Sequence, residues 1–185
     1  MRILAVALAA ICCVGCDHES NQVGREPDEY LGCATDELWE VFDQNEGKPV
    51  VDAAAAPKLS APILTLPLAS LSAPIFVWSK NPATASAPDG DVPITCPQFS
   101  RGAIGTKHFP SVSGTVYQLR IYEAQTNVYR VLTTLEQWQP PASAWQRLAG
   151  KSLRFEIMGM SVASNGWSAG PYVSPDVMTF TVEGL

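Results

Sequence analysis

The sequence predicts an all-β fold, with an antiparallel β-sandwich over residues 72–185. Apolar and polar residues alternate in three runs of that part, residues 116–123, 152–160 and 177–182. Turn-forming residues separate the runs, and no long helical pattern comes between them. Hydrophobic residues make up 46% of the chain and charged residues 16%, which supplies enough apolar material for a core and argues against wholesale disorder.

Residues 1–15 have the plan of a secretory signal. One positive charge, Arg2, precedes an apolar run from Ile3 to Val14. The run is too short to span a bilayer, which takes about 20 apolar residues, and it fits the apolar region of a cleaved signal. A buried amphipathic helix is the structural alternative, and the lack of a polar face argues against it.

The four residues Cys13-Val14-Gly15-Cys16 close this run and resemble the end of a bacterial lipoprotein signal. They match the family's Leu-(Ala/Ser/Val)-(Gly/Ala)-Cys at the last three positions and depart at the first. The resemblance implies cleavage before Cys16 and two or three acyl chains on that cysteine. Because each buried methylene contributes about 0.8 kcal/mol, such an anchor would be permanent. The expected location is the bacterial cell envelope, on the periplasmic face of a membrane or at the cell surface. A plain secreted protein with an ordinary signal is the alternative.

Two cysteines remain after cleavage and lipidation, Cys33 and Cys96. Such a pair in an exported chain most simply forms a disulfide, which stabilises by roughly 4 kcal/mol on the chain-entropy model. Two separate buried thiols are the alternative. A zinc site usually needs two separated pairs of Cys or His ligands, and the sequence has no second pair, so no metal site is predicted.

Residues 16–71 are predicted to hold an acidic tether, a short helix and an Ala/Pro-rich linker. Residues 17–46 contain ten Asp and Glu against one basic residue, Arg25. Like charges repel and extend such a segment, so a solvated tether is expected, with an acidic recognition surface as the alternative. If the disulfide forms, only residues 17–32 are expected to be free.

The helix is predicted over residues 35–47, where it would pack against the sandwich; a partner-binding helix is the alternative. Thr35 can cap its N-terminus, and three apolar residues share one face at helical spacing: Leu38, Val41 and Phe42. Four prolines within residues 53–74 then preclude a long helix, so this linker is expected to lead into an edge strand.

Each predicted strand of the sandwich has one apolar set that alternates with polar residues. The sets are Tyr117, Leu119 and Ile121; Leu153, Phe155 and Ile157; and Met178, Phe180 and Val182. Residues 128–135 are predicted to form a further strand, because they are rich in β-branched residues. The apolar phase changes at Gly159, which predicts a bulge, and residues 140–150 are predicted to form one or two helical turns.

Trp78 in PIFVWSK, Tyr117 in VYQLRIYE and the glycine-containing segment 148–170 are similar to features of fibronectin type III and immunoglobulin-like modules. The resemblance implies a sandwich in which this Trp and this Tyr pack in the core. The chain departs from the family in the long stretch from Asn81 to Gly114, which leaves the strand count open.

No catalytic motif is present, so the chain is not expected to be an enzyme or to carry a cofactor. The sequence has no Gly-x-Ser-x-Gly turn, no phosphate-binding glycine loop and no His-Glu-x-x-His pair. His108 is expected to be a loop or surface residue. The net charge of −6 and the pI near 4.8 argue against a nucleic-acid partner.

Three tryptophans in or beside predicted loops are the candidate ligand-stacking residues: Trp138, Trp145 and Trp167. An exposed Trp can stack on a sugar or anchor a protein partner, whereas the favoured alternative is that these rings close the ends of a small core. The sequence therefore predicts a membrane-anchored exported lipoprotein with a non-catalytic module for envelope structure or partner binding. Carbohydrate binding or adhesion through the loop tryptophans is the alternative function.

Overall fold

The computed structural model describes residues 26–50, 52, 54–60, 65–66, 73–80 and 111–183. These residues are mostly β-strands in mixed and antiparallel sheets with two helices, as the predicted all-β class requires. The elements in chain order are β1 (Glu29–Leu31), α1 (Asp36–Glu46), β2 (Lys58–Leu59), β3 (Thr65–Leu66), β4 (Phe76–Ser79), β5 (Gly114–Glu123), β6 (Thr126–Thr133), β7 (Gln137–Trp138), α2 (Ala142–Arg147), β8 (Ser152–Ala163), β9 (Gly166–Val173) and β10 (Met178–Val182).

Seven of the described strands form one large sheet in the order β1-β6-β5-β8-β10-β3, with β9 also paired to β8. β5 and β8 pair antiparallel without a break, from Gly114 opposite Val162 to Glu123 opposite Leu153. β10 lies beside the first half of β8 and β9 beside the second half. The other three strands form a small sheet in the order β2-β4-β7, so β4 is central in that sheet and is not the edge strand predicted to follow the linker.

The small sheet and α2 pack on one face of the large sheet. The apolar sets predicted on β5, β8 and β10 are buried in this core, as is Tyr129 of β6. Trp78 of β4 meets Tyr117 of β5 edge-on, with 5.6 Å between ring centroids. The core positions implied for these two residues are therefore confirmed.

Helix α1 covers the opposite face of the large sheet. Its N-terminus is capped as predicted, because the Thr35 hydroxyl oxygen accepts a hydrogen bond from the Leu38 N–H at 3.3 Å. Leu38, Phe42 and Trp39 are buried in a second core, against residues of β5, β6 and β8: Val116, Leu132, Met158, Met160 and Val162. Packing of the helix against the body is confirmed.

Burial on both faces explains the change of apolar phase in β8. Ile157 faces the small sheet and Met158 faces α1, so two consecutive residues are buried on opposite faces. The pairing with β5 passes Gly159 without a bulge. The irregular pairing lies on the other edge of β8, where the register with β9 shifts between Gly159 and Val162. The irregularity predicted at Gly159 is therefore found in the pairing with β9 and is absent from the pairing with β5.

Part of the predicted acidic tether belongs to the sheet. β1 pairs in parallel with β6, and Asp28 and Arg130 exchange two hydrogen bonds. The Asp28 N–H donates to the Arg130 carbonyl at 2.8 Å, and the Arg130 N–H donates to Asp28 Oδ2 at 2.9 Å. The folded unit therefore begins well before residue 72, and within the segment 17–32 that is predicted to be free.

Candidate functional site

The predicted lipidation site and one predicted disulfide partner, Cys16 and Cys96, lie outside the described residues, as does His108. Cys33 follows β1 and is disulfide-bonded, with a partner that is also outside the described part of the chain. Its backbone N–H donates to the Thr134 hydroxyl at 2.9 Å, which ties this turn to the end of β6. The pairing of Cys33 with Cys96 stays a prediction.

Two of the three candidate tryptophans are part of the core. Trp138 on β7 is 2% exposed and Trp145 on α2 is 3% exposed. The Trp138 ring stacks near Phe76 and Tyr129, with centroids 5.5 Å and 5.8 Å away. Its indole N–H donates to Glu29 Oε2 at 3.0 Å. Neither ring has a free face, so both close the core as the alternative interpretation expects.

The third candidate, Trp167 at the start of β9, is 53% exposed. Its indole N–H donates to the Gly170 carbonyl of the same strand at 3.0 Å, which fixes the orientation of the ring. It pairs across from Val162, a residue of the α1 face, so Trp167 lies on the same side of the sheet as the helix. Of the three candidates, only Trp167 has a ring that a ligand can reach.

A group of buried charges lies beneath the end of α1, and the sequence did not predict it. Arg120 and Arg130 stand opposite each other on β5 and β6. Glu46, the last residue of α1, contacts both guanidinium groups, with N–O distances of 2.5 Å to Arg120 and 3.7 Å to Arg130. The side chains of Arg130, Glu46 and Arg120 are 2%, 8% and 14% exposed.

Uncharged neighbours complete this group. Arg120 donates to the Gln118 side-chain oxygen at 2.7 Å and to the Tyr122 hydroxyl at 3.2 Å. The guanidinium of Arg130 lies over the ring of Trp39, 5.2 Å from its centroid. The donors of Arg120 are thus used within the protein, and the arrangement serves to fix the end of the helix on the sheet.

Burial raises the pKa of two tyrosines, Tyr30 of β1 and Tyr129 of the neighbouring strand β6. Burial and the nearby Glu29 and Asp28 carboxylates raise the pKa of Tyr129 to about 12. Burial, a hydrogen bond to Asp36 and the negative charges of Asp36 and Glu26 also raise the pKa of Tyr30. Both phenol groups are therefore neutral in the folded protein at physiological pH.

The raised pKa of Tyr129 predicts a loss of stability at alkaline pH. Because the unfolded chain ionises this group near pH 10 and the folded protein only near 12, its contribution is complete below pH about 10 and is lost between about 10 and 12. Denaturant unfolding of the wild type and of Tyr129→Phe across this range checks it. The variant should show the smaller decline with pH, and equal declines would contradict the assignment.

A shallow groove lies where β4 ends above the first half of β5 and the second half of β8. Tyr117, Tyr172, Lys80 and Gly159 are among its lining residues. Its cavity volume is only about 10 Å³, room for about one water molecule, which is far below the size of typical small-molecule sites. The residues that line the groove include no acid–base pair and no nucleophile–base pair.

Neither described helix is long and apolar enough to cross a bilayer. Within the described ranges, no three Asp, Glu, Cys or His side chains come together as metal ligands. No family model, curated protein or solved structure matches the chain.

Proposed function

We propose that the chain is an exported lipoprotein, anchored in a membrane of the bacterial cell envelope through acyl chains on Cys16. Its folded body is a non-catalytic module for envelope structure or for binding a partner. The observation that carries the proposal is the run of apolar residues that ends in Val14-Gly15-Cys16. The folded body also begins a short distance in sequence after Cys16, which suits a module held at a membrane.

The fold begins close to the proposed anchor. Asp28 is hydrogen-bonded to β6, and it follows Cys16 by twelve positions. Even a fully extended segment of that length spans at most about 40 Å. The body is therefore held near the membrane surface. A free segment that extended to residue 32 would allow a greater distance between the membrane and the body.

The body is proposed to be an immunoglobulin-like sandwich of the fibronectin type III kind. Support comes from the connections: β2, β4 and β7 form one sheet, while the β5–β6 hairpin and the β8–β9 hairpin belong to the other. That division corresponds to strands A, B and E against C, C′, F and G of such sandwiches. Trp78 and Tyr117 occupy the core positions of the family resemblance. Helix α1 and β1 would then be additions to the module.

Exchange of single cysteines tests the anchor. The full chain, the variant Cys16→Ala and the control Cys12→Ala are produced in a bacterium supplied with labelled fatty acid, and membranes are separated from soluble protein. Cys12 lies in the same signal but outside the four-residue motif. Cys16→Ala should lose the label and leave the membrane fraction, while Cys12→Ala keeps both. Retention of label by Cys16→Ala would exclude the proposal.

Carbohydrate binding is a second candidate, favoured by the exposed and oriented ring of Trp167. Titration of the protein with a panel of glycans, followed by Trp fluorescence, tests it. A change that is lost in Trp167→Ala and kept in Trp145→Phe, a buried control, supports this function. No change in the wild type over the panel counts against it.

A further inference from the structure

The hairpin between β8 and β9 contains the one Asn–Gly pair of the sequence, Asn165–Gly166. Ser164 and Asn165 both have positive φ, 49° and 64°, as a tight two-residue hairpin turn requires. Gly166 has no side chain to shield its backbone nitrogen. In such a pair, this nitrogen can attack the side-chain carbonyl carbon of the asparagine.

Three hydrogen bonds hold Asn165 in the folded protein. Its backbone N–H donates to the Val112 carbonyl at 2.9 Å, and its side-chain oxygen accepts from the Val112 N–H at 2.6 Å. Its side-chain nitrogen donates to Glu37 Oε2 at 3.1 Å, in the first turn of α1. The carboxamide therefore bridges the hairpin, the start of β5 and the helix, and it cannot rotate freely.

We propose that Asn165 is a deamidation site that the closed hairpin protects. When the hairpin opens, the Gly166 nitrogen bonds to the Asn165 side-chain carbon, gives up its proton, and ammonia leaves. A five-membered succinimide results. Water then adds to either carbonyl of that ring and opens it, which leaves aspartate or isoaspartate at residue 165. The reaction consumes one water, releases one ammonia, and involves no oxidation or reduction.

The product cannot restore the hydrogen bond to Glu37. The nitrogen that donates to Glu37 is replaced by an oxygen of a carboxylate, so two negative charges face each other where a hydrogen bond stood. An aspartate can still accept from Val112, but its charge opposes the return of the helix terminus. Each conversion therefore loosens the docking of α1 on the hairpin and is irreversible without repair.

Peptide mass spectrometry of the full-length protein, kept in detergent at mildly alkaline pH, tests the protection. Conversion at residue 165 should be at least about tenfold slower in native buffer than in denaturant, because only the open population reacts. Glu37→Ala should speed conversion in native buffer, while Glu40→Ala, an exposed residue of the same helix, should not. Equal native and denatured rates, or equal rates for the two variants, would overturn the proposal.

The variant Asn165→Asp, alone and together with Glu37→Gln, tests whether repulsion between the new carboxylate and Glu37 causes the loosening. Its thermal midpoint should fall below that of the wild type, and adding Glu37→Gln should recover part of the loss. No recovery in the double variant would show that repulsion from Glu37 is not the cause.

Discussion

Replacing Glu46 with glutamine is expected to lower the free energy of unfolding by about 3–5 kcal/mol, the usual cost of removing one partner of a buried ion pair. Arg120 and Arg130 would remain opposite each other beneath α1, 14% and 2% exposed, without the carboxylate that lies between them. Water cannot replace that carboxylate easily at so buried a position. Denaturant unfolding followed by far-UV circular dichroism measures the change.

Glu40→Gln is the matched control for this variant. Glu40 lies on the same helix and is exposed, so the same change of charge should alter stability by no more than about 0.5 kcal/mol. If Glu46→Gln also stays within that range of the wild type, the contacts at the end of α1 do not hold the helix in place.

Replacing Trp138 with alanine is expected to cost about 3–5 kcal/mol, the range for truncating a large buried aromatic side chain. The ring is 2% exposed and stacks with Phe76 and Tyr129. Its loss would leave a cavity at the centre of the core between the sheets, and Glu29 would lose its indole donor. Calorimetric or denaturant unfolding gives the measurement.

Trp167→Ala makes the useful comparison, because that ring is 53% exposed. Its stability should lie within about 0.5 kcal/mol of the wild type. If Trp138→Ala and Trp167→Ala lowered the free energy of unfolding by similar amounts, the different burial of the two rings would be contradicted. The losses from Glu46→Gln and Trp138→Ala should add, since the large sheet separates the two residues and they share no contact.

Local patterns in the sequence located β5, β8 and β10, because each of these three strands has an apolar set that alternates with polar residues. Phe155 and Phe180, for example, are buried as predicted. The helix was also predicted, since Thr35 and the spacing of Leu38 and Phe42 are local signals. Local sequence patterns do not show which face of a sheet another element will cover. Gln118 is fully buried for that reason, although its strand alternates as if one face met solvent.

The buried charges could not be predicted, because they depend on strand register and on where α1 ends. Two arginines directly opposite each other destabilise a sheet unless a negative charge lies near both. Arg120 and Arg130 are ten positions apart, and only the observed register of the β5–β6 hairpin makes them neighbours. Glu46 meets them through packing of the helix. The strand that contains Trp138 could not be predicted either. β7 has only two residues and is recognisable only from its pairing with β4.

The N-terminal residue of the mature protein tests the central proposal most directly. Membranes from bacteria that produce the full chain are extracted, and the N-terminal peptide is analysed by mass spectrometry. The proposed anchor predicts a peptide that begins at Cys16 and carries two or three acyl chains. A peptide that begins at another residue, or that retains residues 1–15 without lipid, would contradict it.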